Sequence, residues 1–236
     1  MMDRLIQIRQ AEANSHREAY TSHELFSPGS WLAKPVKTVL ELLPLFAGYD
    51  KFHALDLGSG VGRNSIPVAQ YFGHIPCQID CVDILELAIE KLNENAKRYE
   101  VADEIRGIVS SIDDYEIEAD SYDLIMAVSA LEHTDSKAAF IKKLEQIRDG
   151  LHMGGVACLI VNANVQEHDK ATAKELQPQF EVNLQTGELQ NVLEQVFARW
   201  ELVKHTVVHQ KYEISRGNGI AVLETDVVTY AVKRST

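Results

Sequence analysis

The sequence has few cysteines, few basic residues and no long apolar run, and each shortage excludes a class of protein. Of the 236 residues only three are cysteines, Cys77, Cys81 and Cys158, and no C-x-x-C pair occurs. An odd number of cysteines without that spacing is typical of reduced thiols, so we expect a cytoplasmic protein. No run approaches the roughly 20 apolar residues that a membrane helix needs. The first residues also lack the apolar stretch of a signal peptide.

The balance of charge is acidic. The chain has 23 Lys and Arg against 35 Asp and Glu, a formal charge of −12. Nucleic acids require a basic surface and anionic membranes repel an acidic one, so we expect neither as a partner. With 45% hydrophobic and 25% charged residues, the composition is that of a folded globular protein. We predict a single domain over residues 1–236, either a monomer or a homodimer.

Strand and helix patterns alternate along the middle of the chain. Apolar runs of the length of a buried strand lie at 52–57, 75–82, 105–109, 122–128 and 156–161. With helical patterns between them, these runs predict a doubly wound α/β fold with a parallel sheet. Two further runs, 200–208 and 220–232, flank the turn SRGNG at Ser215–Gly219 and predict an antiparallel final strand pair.

We divide the predicted domain into three parts. Residues 1–50 form a helical segment that covers the site, and residues 51–161 form the cofactor-binding core. Residues 162–236 hold a substrate loop and the C-terminal antiparallel strands. The loop, residues 162–183, is the long irregular stretch of the sequence, and a stretch of that length in a compact domain is often a lid or a substrate loop.

A glycine-rich loop follows the first predicted strand. The stretch ALDLGSGVGRN, residues 54–64, runs from a strand through Gly58, Ser59 and Gly60 into a helix. Glycines at such a turn let a ligand approach the main chain. A carboxylate at Asp56 repels the pyrophosphate of a dinucleotide but attracts S-adenosylmethionine, whose sulfonium and ammonium groups make it cationic. The spacing G-x-G-x-G also differs from the dinucleotide pattern G-x-G-x-x-G.

Further anchors follow at the predicted carboxyl ends of strands, where open α/β sheets bind ligands. Asp83 lies about 20 residues past the loop, where an acidic residue meets ribose hydroxyls, although a helix N-cap is an alternative role. Asp113 is placed to accept the adenine amino group, unless it is only a turn residue. The other predicted cofactor contacts flank these anchors and are Ser59, Arg63, Asn64, Ile84, Ile112 and Ser129.

The motifs ALDLGSGVGRNS, DCVDI, SSIDDY and YDLIMAVSALEH, in this order, resemble those of class I S-adenosylmethionine-dependent methyltransferases. The likeness covers about residues 52–161 and implies a Rossmann-like fold with a mostly parallel seven-stranded sheet. A closer resemblance, to the tellurite-resistance methyltransferases, rests on GRNS at residues 62–65 and on the tail from Phe180 to Lys204. It implies a small acceptor, such as a tellurite- or selenite-type oxyanion or another soft nucleophile. The chain departs from that subfamily at Glu213–Ile214, where those proteins have a His-Arg pair.

Two residues are candidates for catalysis. His133 is either a general base for an acceptor that carries a proton, since histidine titrates near neutral pH, or a surface residue. We interpret its neighbour Glu132 as solvated. Arg63 opens a helix, where a cation is unfavourable, so we interpret it as a contact to an anionic acceptor or to the cofactor carboxylate. Because no helical His-x-x-x-His pair or Cys-His set occurs, the sequence predicts no metal site.

Two other functions stay open at this point. An NAD-dependent oxidoreductase would share the ribose anchor Asp83 but not the glycine spacing. A non-catalytic protein that binds the nucleoside cofactor would share every motif, because methyltransferases often lack a conspicuous base. Two aromatic residues of the N-terminal segment, Tyr20 and Trp31, either cover the cofactor or pack in the core.

Overall fold

The computed structural model describes residues 2–216 and 219–235. The helices are α1 (Met2–Ser22), α2 (Lys37–Leu42), α3 (Ser65–Phe72), α4 (Glu86–Arg98), α5 (Lys137–Gly150) and α6 (Thr186–Val196). The strands are β1 (Phe52–Leu57), β2 (Cys77–Asp83), β3 (Ile105–Val109), β4 (Tyr122–Val128), β5 (Leu151–Asp169), β6 (Glu175–Leu176), β7 (Glu201–Arg216) and β8 (Gly219–Lys233). Short 3₁₀ helices span Trp31–Ala33, Leu43–Phe46 and Leu131–His133.

The strands form one mixed sheet in the order β3-β2-β1-β4-β5-β8-β7, and the two-residue β6 pairs with β5 beside this path. Strands β1 to β5 are parallel, whereas β8 is antiparallel to both β5 and β7. This arrangement confirms the predicted doubly wound, mostly parallel sheet with an antiparallel final pair. No helix among the described residues is both long and apolar enough to span a membrane.

The central strand β4 shows why the sheet is covered on both faces. Leu124 and Met126 point into the core under α2, α3 and α4, whereas Ile125 and Ala127 point into the core under α5 and α6. All four side chains have no solvent exposure. A strand that is apolar on both faces is stable only between two layers of helices, which explains the continuous run YDLIMAV.

A buried carboxylate links the first strands of the sheet. Asp80 on β2 has no exposure and accepts two hydrogen bonds from the Arg106 guanidinium on β3, at 2.8 and 2.7 Å. It also accepts a hydrogen bond from the Tyr122 hydroxyl at 3.0 Å and lies 3.2 Å from Nε2 of His53. Burial raises the pKa of Asp80, but hydrogen bonds from His53, Gln78 and Arg106 outweigh it and lower the pKa to about 2.

The segment that follows the fifth strand corrects one prediction. The predicted strand 156–161 is only the centre of β5, which runs from Leu151 to Asp169, so the predicted irregular stretch 162–183 begins eight residues later than expected. The long partner β8 makes this extension possible, because it pairs with β5 from Val156↔Lys233 to Asp169↔Ala221. A register shift between Ala163 and Gln166 marks a bulge in the extension. The centre of the predicted turn 215–219 lies outside the described residues.

Candidate functional site

The glycine loop between β1 and α3 requires glycine at two positions. Gly58 and Gly60 have φ angles of 73° and 53°, which side chains rarely adopt. A Cβ atom on Gly58 would lie 2.5 Å from Cβ of Ala130, and one on Gly60 would lie 2.8 Å from the Tyr20 hydroxyl oxygen. The main chain of the loop is therefore pressed between the end of β4 and helix α1.

Asp83, at the end of β2, holds the loop in place. One carboxylate oxygen accepts the N–H of Gly60 and the other accepts the N–H of Leu85, both at 2.9 Å. Asp83 therefore orders the first turn of α4 and fixes the glycine loop at once. Burial raises the pKa of its carboxyl group. Beside it, the buried Ser59 hydroxyl has no hydrogen-bond partner in the described part of the chain.

Asp56 lies beneath the loop. Its carboxylate is 1% exposed and accepts a hydrogen bond of 2.5 Å from the Ser65 hydroxyl, at the first residue of α3. Burial raises the pKa of Asp56 to about 6, against the opposing effect of the Ser65 hydrogen bond. Asp56 thus anchors α3 from inside the core. Direct contact between Asp56 and a cofactor stays a prediction.

Two polar residues after the loop tie it to the N-terminal segment. Nε of Arg63 donates to the Lys34 carbonyl at 2.6 Å, and the guanidinium lies 5.5 Å from the centre of the Trp31 ring. The buried Asn64 side chain accepts the N–H of Val36 at 3.0 Å. Both side chains are engaged within the protein, and the ligand contacts expected of them stay predictions.

Four more of the residues expected at the cofactor lie at the carboxyl ends of β2, β3 and β4. Ile84 is 56% exposed, and Ile112 lies 4.0 Å from the position of a Cβ atom on Gly58. Asp113 accepts the N–H of Asp135 at 3.0 Å. Ser129 has a φ of 50°, an uncommon conformation for a residue other than glycine. The structure thus brings these residues to the same edge of the sheet as the glycine loop.

One face of α1 lies over this edge. Ile8, Glu12, His16 and Tyr20 follow one another at intervals of four residues, so they line one side of the helix. Tyr20 is 7% exposed and its hydroxyl group lies over Gly60. Burial, with the charges of Asp83 and Glu12, raises the pKa of Tyr20 above its ordinary value. This side of the helix therefore places the Tyr20 ring over the glycine loop and carries His16 and Glu12 one and two turns before it.

His133 lies between two carboxylates. Its Nε2 is 3.0 Å from an oxygen of Glu12 on α1, and its Nδ1 is 2.9 Å from an oxygen of Glu181 in the segment before α6. Burial lowers the pKa of His133, but the two ion pairs outweigh it and raise the pKa to about 10. In this arrangement the ring is an imidazolium and has no free nitrogen for a proton. The role of His133 as a base therefore stays a prediction that requires one carboxylate to withdraw.

Two of the three carboxylates near His133 could not be found from the sequence. Glu12 lies 121 residues before His133 and Glu181 lies 48 residues after it, in a segment without regular structure, so no short spacing connects them. The interpretation of Glu132 as solvated is wrong, because its side chain has no exposure. One Glu132 oxygen accepts from Asn162 on β5, through the backbone N–H at 3.1 Å and the side-chain amide at 2.6 Å. The other oxygen has no hydrogen-bond partner among the described residues.

Comparison with known proteins identifies the central part of the chain. Residues 54–155, from the first strand to the beginning of β5, match the family model described as methyltransferase domain. The match indicates a methyltransferase domain in this part of the chain. S-adenosylmethionine is the cofactor that the sequence motifs predict, and structures of SAM-dependent methyltransferases share the fold. Among curated proteins, no sequence matches the chain significantly.

Solved structures of methyltransferases share the fold of this domain. The chain is 17% identical to TehB from Haemophilus influenzae, with a TM-score of 0.62, over 85% of this chain and 62% of that one. It is 14% identical to a SAM-dependent methyltransferase from Methanosarcina mazei, with a TM-score of 0.59, over 86% and 99% of the two chains. It is also 14% identical to 1,6-didemethyltoxoflavin-N1-methyltransferase from Burkholderia thailandensis, with a TM-score of 0.56, over 100% and 89%. These likenesses extend the methyltransferase fold beyond residues 54–155.

Proposed function

We propose that this protein transfers the methyl group of S-adenosylmethionine to a small molecule. The observation that carries the proposal is the contact between Asp83 and the N–H of Gly60, which fixes a glycine loop over the carboxyl ends of the strands. The unpartnered Ser59 hydroxyl lies in the same loop and leaves a hydrogen bond for a ligand to complete.

The residues at the sheet edge divide among the parts of the cofactor. Asp83 would meet the ribose hydroxyls, since each of its oxygens retains a lone pair beyond its backbone hydrogen bond. The apolar side chains of Ile84 and Ile112 would flank the adenine ring, and Asp113 would accept its amino group. Ser59 and Ser129 would contact the remaining part of the nucleoside and the amino acid. When bound, S-adenosylmethionine supplies an electrophilic methyl group on a positively charged sulfur.

The charge of the crevice supports a cationic cofactor. The carboxylates of Asp83, at the end of β2, and Glu12, on α1, both act on the buried Tyr20. The nearest cation of the loop, Arg63, is directed away towards Lys34 and Trp31. A pyrophosphate would meet carboxylates in this position, which disfavours an NAD-dependent oxidoreductase.

The acceptor side of the site disfavours a free oxyanion. Arg63 donates to the Lys34 carbonyl, and Arg216 on β7 forms an ion pair of 2.7 Å with the buried Glu167 on β5. Arg9 on α1 is paired with Glu181 and Asp135. Glu12 and Glu181 add negative charge where the acceptor would lie. The likeness to TehB is distant, so we propose a small neutral or cationic acceptor in preference to a tellurite-type oxyanion. Helix α1 and the segment between β5 and α6 would shape its pocket.

Calorimetry with S-adenosylmethionine and S-adenosylhomocysteine tests the proposal. We expect both nucleosides to bind with 1:1 stoichiometry and NAD to give no heat. Binding of NAD alone would overturn the proposal. A screen of small hydroxyl, amine and thiol compounds with a methyl-labelled cofactor then separates an enzyme from a protein that only binds the nucleoside. Labelled product supports the enzyme, and tight cofactor binding without product in any class supports the binding protein.

The variant Asp83→Ala is expected to weaken binding of S-adenosylhomocysteine by more than about tenfold, or about 1.4 kcal/mol. The substitution removes the ribose partner and also releases the N–H of Gly60. The dissociation constant is measured by calorimetry, with Asp103→Ala as control, because Asp103 is an exposed carboxylate on the far side of β3. An unchanged dissociation constant for Asp83→Ala would remove this residue from the site.

A further inference from the structure

The cluster around His133 contains more than an ion pair. Ligand-type atoms of Glu12, His133 and Glu181 all lie within 4.8 Å of one another. They come from α1, from the 3₁₀ helix after β4 and from the segment before α6, so the fold itself assembles them. A divalent ion with bonds of about 2.1 Å holds its ligand atoms roughly 3–4 Å apart, a separation that these side chains nearly have.

The cluster also carries an excess of negative charge. The guanidinium of Arg9 lies 3.4 Å from Glu181 and 3.8 Å from Asp113, and it forms an ion pair with Asp135. The side chain of Glu181 has no exposure. The positive charges of Arg9 and His133 therefore face a larger number of carboxylates, which are those of Glu12, Glu132, Glu181, Asp113 and Asp135.

An independent feature next to the cluster is the side chain of Glu132. It is fully buried, one of its oxygens has no hydrogen-bond partner among the described residues, and its charge acts on the ring of His133. The positive ring of His133 acts on this carboxylate, and its second oxygen still leaves one position for a further partner.

We propose that Glu12 and His133 bind a divalent transition-metal ion, with Glu181 as the outer carboxylate that orients the ring. Only one imidazole nitrogen can bind an ion, and the other N–H of a metal-bound histidine commonly donates to a carboxylate. Nδ1 already faces Glu181, which leaves Nε2 and the Glu12 oxygen for the ion. Phe180 stacks against the ring at 5.4 Å and restricts its rotation.

Other groups fit the same assignment. Nε2 of His16 lies 3.6 Å from the same oxygen of Glu12 and offers a third donor from the next turn of α1. A set of imidazole and carboxylate donors suits Mn²⁺, Zn²⁺, Co²⁺ or Ni²⁺. The ion would have open positions for water or for the acceptor. Its use in methyl transfer rests on the proposed function and favours an acceptor that offers an oxygen ligand, although ion binding itself does not depend on that function.

Manganese binding tests this inference without any assay of activity. The full chain is stripped with a chelator, dialysed and titrated with Mn²⁺, and free ion is followed by electron paramagnetic resonance. Zn²⁺ is then added as a competitor. We expect one site per chain with a dissociation constant below about 100 μM. Glu12→Gln and His133→Gln should each weaken binding at least about tenfold, and Glu181→Gln by about tenfold or more.

Matched controls are His74→Gln, in the turn after α3, and Glu90→Gln, on α4, which change exposed residues of the same types away from the cluster. Two results would overturn the metal site. One is that neither ion binds stoichiometrically up to about 1 mM, and the other is that Glu12→Gln and His133→Gln bind Mn²⁺ as tightly as the wild type does. Either result would leave His133 as a plain imidazolium between two carboxylates. Calorimetry with S-adenosylhomocysteine on the same samples keeps the two proposals separate, because nucleoside binding without ion binding refutes only the metal site.

Discussion

Replacing Asp80 by Asn is expected to lower the free energy of unfolding by about 3 kcal/mol, the largest stability effect that we expect of a single polar substitution. The substitution places an amide N–H₂ where the side chains of Arg106, His53 and Tyr122 all direct donors. The carboxylate has no exposure, so water cannot replace the lost acceptor. Arg106 is 59% exposed and can be hydrated again, which keeps the loss below that of a fully buried ion pair.

The measurement is thermal unfolding followed by circular dichroism. For a chain of this length, about 3 kcal/mol corresponds to a decrease in Tm of roughly 6–12 °C. Asp103→Asn serves as control, because Asp103 is exposed on the loop before β3 and should change Tm by less than about 2 °C. A decrease in Tm for Asp80→Asn as small as that of the control would show that the hydrogen bonds to Asp80 contribute little to stability.

The pH dependence of this loss has a defined sign. The pKa of Asp80 falls from 3.8 to about 2 on folding, so its contribution is complete above about pH 4 and disappears towards pH 2. The difference is worth about 2 kcal/mol. The hydrogen bond to Asp80 raises the pKa of His53 above the ordinary 6.5. The contribution of His53 to stability is therefore complete below about pH 6.5 and decreases as the pH rises through the raised pKa. Tm measured from pH 2 to 8 should therefore show the greatest separation between wild type and Asp80→Asn near pH 4–6.

Replacing Gly58 by Ala is expected to weaken the binding of S-adenosylhomocysteine about 100-fold, or about 2.7 kcal/mol. The new Cβ would lie 2.5 Å from Cβ of Ala130, and neither atom can move without shifting the main chain. The positive φ of 73° adds about 1–2 kcal/mol of strain. The loop would therefore leave the position in which Asp83 fixes it.

The control variant Gly29→Ala separates the effect of backbone strain from the effect of the steric clash with Ala130. Gly29 also has a positive φ, 111°, but a Cβ atom there meets nothing within 4 Å. This control should lose stability and retain cofactor binding, whereas Gly58→Ala should lose both. Calorimetry gives the dissociation constants. Binding by Gly58→Ala within about threefold of wild type would place the cofactor elsewhere.

The sequence predicted the parallel part of the fold because its signals are local. The continuous run of β4 and the glycine loop each determine a short segment, and α3 follows the glycine loop as the sequence predicts. The length of β5 was missed, because residues 162–169 become a strand only through their pairing with β8. Strand formation that depends on a distant partner leaves little trace in the segment itself.

The site shows the same limit. Asp83 ends its strand, so its place at the carboxyl edge of the sheet could be predicted from the sequence alone. The carboxylates around His133 could not, since Glu12 lies on a helix with a weak apolar face and Glu181 lies in an irregular segment. The expectation that the chain has no metal site rested on helical spacing of ligands. That search cannot detect donors from three separate segments, which explains why the present proposal arises only from the structure.

Helix α1 spans both halves of the crevice. Tyr20 contacts the glycine loop and Glu12 contacts His133. The two residues are eight positions apart, or about 12 Å along the axis of the same helix. A ligand that shifts the helix at Tyr20 also shifts Glu12, and a ligand that shifts the helix at Glu12 also shifts Tyr20. Through such a shift, binding of one ligand would change the affinity for the other, and by reciprocity both affinities would change by the same factor.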